Sequence, residues 1–291
     1  MEQSLIPDLQ LSYLLELYSE LGSAADNFVL VGAQAMRFML EKPRYTKDFD
    51  FVLDVISLRE MSPSIAEVLE KLQYKVVPEA SRFQFVKVVP ENNQQIRIEF
   101  LASDTETRAK NFRVDVQEKI HARACAGAEI VLNESDLKQI KGNLPNGKYT
   151  KVKLRIIRPH ALLMMKLLAM DDRYKNIRGP AEAAHDRDEA RIHSSDITAI
   201  LHYYIQYPDF SNFSKSFWSQ FGKDEGLKKR AKDIIAKYFT NLDGPGILLY
   251  AEFGKMQNLV VENEELNRVI REIGVLLQYL VTYENKRLGE S

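Results

Sequence analysis

Asp48 and Asp50 stand two positions apart in the stretch Thr46-Lys47-Asp48-Phe49-Asp50-Phe51-Val52-Leu53, which otherwise reads as a core strand. Positions i and i+2 of a strand share a face, so the two carboxylates stand side by side while Phe49, Phe51 and Leu53 line the other face. Like charges at that range repel unless a cation lies between them, and paired carboxylates presented to Mg²⁺ relieve the repulsion. The same spacing also suits a strand end with one solvated face. Two further features bear on the choice. "FVLVG" (28–32) is a buried-strand pattern ending in Gly32, with Ala33 opening a helical stretch, and "QQIRIEFLA" (94–102) sets Glu99 on a later strand. A strand-to-helix turn that receives phosphate oxygens, with three carboxylates on adjacent strands, is the layout that two-metal phosphoryl chemistry uses.

A second group of charges lies in "LRIIRPHALLMMKLLAMDDR", where Lys166 sits in a helix that is apolar nearly all round. A charge in such a helix needs a counter-charge or a route to solvent. Arg173 follows seven residues on, two turns along the same face, so that both cations could reach one triphosphate. An ion-paired or snorkelling lysine is the other reading of Lys166.

The elements that must position these groups are legible in outline. Apolar spacing predicts a helix over 8–21 that packs on a sheet, a strand at 28–32, a helix over 33–41 that Pro43 ends, and the Asp-x-Asp strand. A helix over 58–72 follows, then strands at 82–89 and 94–102 joined across Pro90-Glu91-Asn92-Asn93. The second of these strands shows Ile96, Ile98 and Phe100 on one face and Arg97, Glu99 and Leu101 on the other. Residues 104–127 are mixed and polar, and "EIVLN" (129–133) reads as a short strand. Residues 138–158 contain seven basic residues and no acid around the turn Pro145-Asn146-Gly147, which predicts a basic hairpin. From Pro159 onward the periodicity is helical: 159–173, 195–206, 211–221, 225–240, 245–257 and 262–286. An α+β chain is expected, with a mixed sheet flanked by helices over 1–158 and a helical domain over 159–291 that completes a nucleotide and acceptor cleft.

The order strand, glycine turn, short helix, Asp-x-Asp strand and downstream acid resembles the nucleotidyltransferase fold of the DNA polymerase beta superfamily. It is carried here by "VLVGAQAMRFMLEKPRYTKDFDFVLD" and then "IRIEF". Within that superfamily the chain looks like the AbiEii-like branch, which includes nucleotidyltransferase toxins of toxin–antitoxin pairs. There the segment runs Arg-x-Thr-x-Asp-Ile-Asp, and this chain has Arg44-Tyr45-Thr46-Lys47-Asp48-Phe49-Asp50. The later Lys and Arg of the branch fall on Lys166 and Arg173. The resemblance covers roughly residues 28–200. It implies that Asp48, Asp50 and Glu99 hold two Mg²⁺ ions, or Mn²⁺, with Glu99 also able to take the proton of the attacking hydroxyl. It implies that Gly32, Ala33, Arg44, Thr46, Lys47, Lys166 and Arg173 contact the substrate. Ala33 stands where the branch has Gly or Ser, Glu99 where Asp is commoner, and "RIHSSD" supplies Asp196 with Arg191 and His193 in place of a Lys-Asp pair.

On this resemblance the chain moves a nucleoside monophosphate from an NTP to an acceptor hydroxyl, on tRNA or another RNA, a protein or a small molecule. A cognate antitoxin is an implied partner. The alternative is a binding module that keeps the fold without turnover. The whole-chain composition limits other classes. Forty Lys and Arg against 41 Asp and Glu leave a formal charge of -1, so a nucleic acid must meet a local patch. Residues 138–158 are the better candidate for that patch, since the basic stretch 223–237 reads as a solvated helix face. Cys125 is the only cysteine, which excludes an internal disulfide and a multi-cysteine zinc site. The histidines at 121, 160, 185, 193 and 202 lack a repeated metal spacing, and no Walker A, dinucleotide or Gly-x-Ser-x-Gly motif occurs. The Met-Glu-Gln start shows no signal segment and no long apolar run follows, so a cytoplasmic protein without membrane contact is expected.

Overall fold

The structure is a computed structural model that describes residues 8–41, 43–80, 82–90, 92–103, 113–175, 179–180, 182–206 and 209–289, with side chains from Leu9 to Leu280. Residues 1–7, Glu91 of the expected turn and 104–112 of the polar stretch lie outside the described residues. The chain divides into two compact units, Met1–Arg158 and Pro159–Ser291.

The first unit runs α1 (Asp8–Leu21), β1 (Phe28–Val31), α2 (Gly32–Met36), β2 (Asp48–Leu53), α3 (Val55–Leu58), α4 (Ile65–Lys71), β3 (Lys75–Val76), β4 (Gln84–Val88) and β5 (Gln95–Ser103). It continues with β6 (Arg113–Gln117), β7 (Ile120–Cys125), α5 (Ala128–Asn133), β8 (Ser135–Asn143) and β9 (Tyr149–Ile157). Among the described residues the strands form one mixed sheet in the order β3-β4-β5-β2-β1-β9-β8. One edge of β5 is shared end to end: β4 pairs antiparallel with Gln95–Glu99, and β7 pairs parallel with Leu101–Ser103. The other edge of β5 takes β2 in parallel, which sets Glu99 opposite Asp50.

One sheet face carries the aromatic core. Phe28 meets Phe51 and Phe100 edge-on at 5.8 Å each, Phe85 lies 5.5 Å from Phe100, and Tyr18 of α1 reaches Phe51 at 6.0 Å. Burying such rings stabilises by about 1.5–3 kcal/mol each. This is why β2 must turn its odd-numbered aromatics inward and its acids to the opposite face.

Several elements differ from expectation, each for a local reason. The helix expected over 58–72 begins at Ile65: Ser64 and Glu67 form a reciprocal capping box, and Pro63 before it cannot continue a helix from α3. "EIVLN" is the helix α5, not a strand. Gly127, at φ 81°, starts it, and Ala128 and Val131 bury one face while it packs on β2 and β5, so packing overrides the β-branched composition. The helix expected over 33–41 stops at Met36 and gives way to tight turns closed by Phe38 N–H to Ala35 O and Met39 N–H to Met36 O. The polar stretch after 112 holds the hairpin β6–β7, and the basic hairpin at 138–158 forms as β8–β9.

The second unit is helical: α6 (Pro159–Lys175), α7 (Ala183–Ile205), α8 (Phe210–Ser219), α9 (Glu225–Phe239), α10 (Pro245–Met256) and α11 (Asn263–Gly289). Helix α7 starts well before the expected 195. Its buried stripe there is Asp186, Ala190 and Ser194, too small and polar to register as an apolar face. Within this unit Trp218 Nε1 donates to Leu276 O at 2.8 Å and Ser194 Oγ to Gly246 O at 2.6 Å. Helix α9 presents Lys229, 76% exposed, to solvent, consistent with the solvated reading of 223–237. Among the described residues no helix is long and apolar enough to cross a membrane.

Candidate active site

Asp50 is placed by three strands at once. Its backbone pairs with Val31 at the end of β1 and with Glu99 on β5, and its carboxylate lies against the Cα of Gly32. A Cβ on Gly32 would collide with Asp50 Oδ2. Gly32 also holds φ at 66°, a left-handed value that glycine adopts without strain. Sequence and site are therefore matched twice at this position, once by backbone conformation and once by the space the carboxylate fills. Asp48 lies on the same face, exposed, with its neighbour across the ladder being Arg97.

The loop before β2 is braced from inside. Gln10 Nε2 donates to Thr46 O at 3.0 Å, while Gln34 Nε2 donates to Gln10 Oε1 at 3.0 Å and to Thr46 O at 3.3 Å. Thr46 is buried, and its Oγ1 accepts from the Asp48 N–H at 3.2 Å. Thr46 therefore holds the start of the Asp-x-Asp strand. Arg44 is half-buried with its carbonyl accepting from Arg37 Nη2 at 3.3 Å, and Lys47 is exposed. Ala33 is buried.

Glu99 is already engaged. Its Oε1 accepts from Arg123 Nε at 2.6 Å and its Oε2 from Gln84 Nε2 at 2.9 Å. The proximity of Glu99, and more weakly of Asp50, holds the Arg123 guanidinium more firmly protonated than an ordinary arginine. Among the described residues no group of three His, Cys, Asp or Glu side chains is gathered closely enough to hold a metal ion. Asp48 and Asp50 offer hard oxygen donors on one face, which suits a divalent cation. Glu99 fits less well, because a guanidinium on its Oε1 would repel a metal bound beside it. Sequence reasoning did not find Arg123, Gln84, Gln10 or Gln34. The first two reveal themselves only through strand pairing, and the buried glutamines carry no pattern of their own.

The expected phosphate contacts of the helical unit are ion-paired inside that unit. Lys166 Nζ lies 2.7 Å from Asp196 Oδ2, both side chains buried, and Arg173 Nη1 lies 2.9 Å from the fully buried Asp186. Both pairs join α6 to α7. Asp196 of "RIHSSD" is thus the counter-charge that Lys166 requires, while Arg191 reaches Glu252 on α10 at 2.7 Å.

A mixed sheet whose Asp-x-Asp strand lies against a left-handed glycine turn defines an α+β protein of the nucleotidyltransferase type. Residues 16–197 match the family model described as nucleotidyl transferase AbiEii toxin, type IV toxin–antitoxin system, and the chain belongs to that family. Among solved structures, a provisionally named nucleotidyltransferase from H. pylori is 13% identical and covers 86% of this chain and 97% of its own, with a TM-score of 0.32, too slight a likeness to argue from. No curated protein matches the chain.

Proposed function

We propose that this protein is a metal-dependent nucleotidyltransferase that moves a nucleoside monophosphate from an NTP to an acceptor hydroxyl, with Asp48 and Asp50 at the centre of the reaction. The observation that carries the reading is the Asp50 carboxylate seated on Gly32, with Asp48 on the same face, in a chain of the AbiEii family. A divalent ion, Mg²⁺ or Mn²⁺, held by Asp48 and Asp50 would offset the charge of the reacting phosphates. The turn at Gly32 would bring its backbone to the phosphates beside Asp50. The acceptor oxygen bonds to the α-phosphorus as the bond to the bridging oxygen breaks. The electron pair leaves with pyrophosphate, and the acceptor proton passes to a carboxylate of the same face. Arg44 and Lys47 flank the Asp-x-Asp strand as further phosphate contacts. Lys166 and Arg173, expected as triphosphate contacts, are engaged within the helical unit by their ion pairs to Asp196 and Asp186.

The acceptor in this proposal is an RNA, such as a tRNA 3′ end, rather than a protein or a small molecule. The support is one face of β8–β9, where the register sets Lys141 opposite Lys151 and Arg155 opposite Leu137, with Lys153 between them. Tyr149, 55% exposed, stands at the end of the row. A row of cations on one face of a hairpin is suited to the phosphates of a polyanion. As a member of a toxin family the protein would act against its host cell unless a cognate antitoxin opposes it.

The test is incubation with each α-labelled NTP, Mg²⁺ and total RNA. Label is expected in RNA with the wild type and not with Asp48→Ala or Asp50→Ala. Either variant folded and fully active would overturn the proposal. The Glu99–Arg123 pair favours a second reading, nucleotide binding without turnover, which predicts NTP binding with no pyrophosphate release.

A further inference from the structure

We infer that Arg123 is a fixed cation of the nucleotide site and that Glu99 is the positioning residue that holds it there, not a metal ligand. The inference rests on the proposed nucleotidyltransferase reading and assigns the polyphosphate of the NTP as what Arg123 contacts.

The sheet topology brings the pair about. Because β4 leaves β5 at Glu99 and β7 joins it at Leu101, Arg123 lies opposite Leu101, one ladder step beyond Glu99. Paired residues and i, i+2 neighbours share a face, so Gln84, Glu99, Asp50 and Arg123 all project from one side of the sheet. Glu99 spends one lone pair of each oxygen on Gln84 and Arg123, which fixes the carboxylate plane between two donors. Among the described residues Nε is the only guanidinium nitrogen of Arg123 with a hydrogen-bond partner. Among the same residues its Nη donors make no hydrogen bond, and the side chain is 37% exposed. An arginine held by its Nε with its fork open is arranged to receive phosphate oxygens.

The charge balance points the same way. Asp48, Asp50 and Glu99 carry three negative charges, and Arg123 cancels one of them without a metal. A second ion beside Glu99 would sit next to a permanent positive charge. Arg123 thus engages the carboxylate that would otherwise be the third metal ligand.

The experiment combines Mn²⁺ binding, read from the electron paramagnetic resonance of the free ion, with binding of a non-hydrolysable NTP analogue. It uses the wild type, Asp50→Asn, Glu99→Gln, Arg123→Lys, Arg123→Ala and the Glu99→Gln/Arg123→Ala double variant. Asp50→Asn is expected to lose Mn²⁺, while Glu99→Gln and Arg123→Lys keep the wild-type Mn²⁺ affinity. Arg123→Ala should weaken the analogue about tenfold to a hundredfold, the usual loss for a charge-assisted hydrogen bond, with partial recovery in Arg123→Lys. If Glu99 acts through Arg123, the double variant binds the analogue no more weakly than Arg123→Ala alone. A merely structural Glu99 would instead give additive losses. Loss of Mn²⁺ in Glu99→Gln, or an unchanged analogue affinity in Arg123→Ala, with Asp50→Asn still defective, would overturn the inference alone. If Arg123→Ala does not fold, the comparison of Arg123→Lys with Glu99→Gln decides it by the same readouts. A wild type that binds neither Mn²⁺ nor the analogue would overturn the reading of the site together with it.

Discussion

The absence of a side chain at Gly32 is what allows the Asp50 carboxylate to lie on the β1–α2 turn. Gly32→Ala should therefore fail in two ways. The left-handed φ costs an alanine about 1–2 kcal/mol, and the new methyl group displaces Asp50. Thermal melting should show the first as a modest drop, and transfer activity should fall much further than that drop explains. A Gly32→Ala protein with unchanged activity would show that Asp50 does not need this seat. Asp48, Asp50 and Gly32 were legible because their types and spacing are themselves the signal. Arg123 was not: its role depends on which residue of β5 it faces, and register across strands is absent from a linear pattern.

At the scale of elements, the α6–α7 pair is held by two ion pairs. Lys166→Met would remove the cation 2.7 Å from the buried Asp196 carboxylate and should destabilise the helical unit by about 3–5 kcal/mol. Adding Asp196→Leu to that variant should restore much of the loss in a urea titration. Failure to recover would mean that Asp196 meets a need beyond Lys166. The same pair explains why α7 was half-visible from sequence. Its first turns bury Asp186, Ala190 and Ser194 rather than large apolar residues, so hydrophobic periodicity begins only at the 195–206 stretch. Conversely "EIVLN" offered a β-branched run whose fate was decided by Gly127 and by the sheet surface beneath it. The central strands were legible because alternation of Phe and Asp, or Ile and Glu, needs no tertiary context. On β8–β9, Lys151→Glu combined with Lys153→Glu should weaken RNA binding across sequences and flatten its salt dependence by about 0.7 per lost phosphate contact. An unchanged salt slope would remove the hairpin from the acceptor surface.

At the scale of the whole molecule, membership of a toxin family predicts that expression arrests growth and that Asp50→Ala relieves the arrest at equal protein level. Stability should also depend on acid. Burial pushes the Asp171 carboxyl up, but hydrogen bonds from Lys175 at 2.6 Å and Tyr238 at 2.8 Å, with the Arg230 charge, outweigh it and leave the group below its ordinary 3.8. A folded value below the unfolded one stabilises at pH above 3.8 and is lost as pH falls through the lower value. Urea midpoints measured from pH 5 down to pH 3 should fall, and the fall should be smaller in Asp171→Asn. Among the described residues β8 is the outermost strand of the sheet. An outermost strand offers its free backbone groups to any other chain that can extend the sheet, and charged side chains are the usual guard against that. Lys141 lies on that strand, so its acetylation would weaken a barrier to self-association as well as a grip on phosphate.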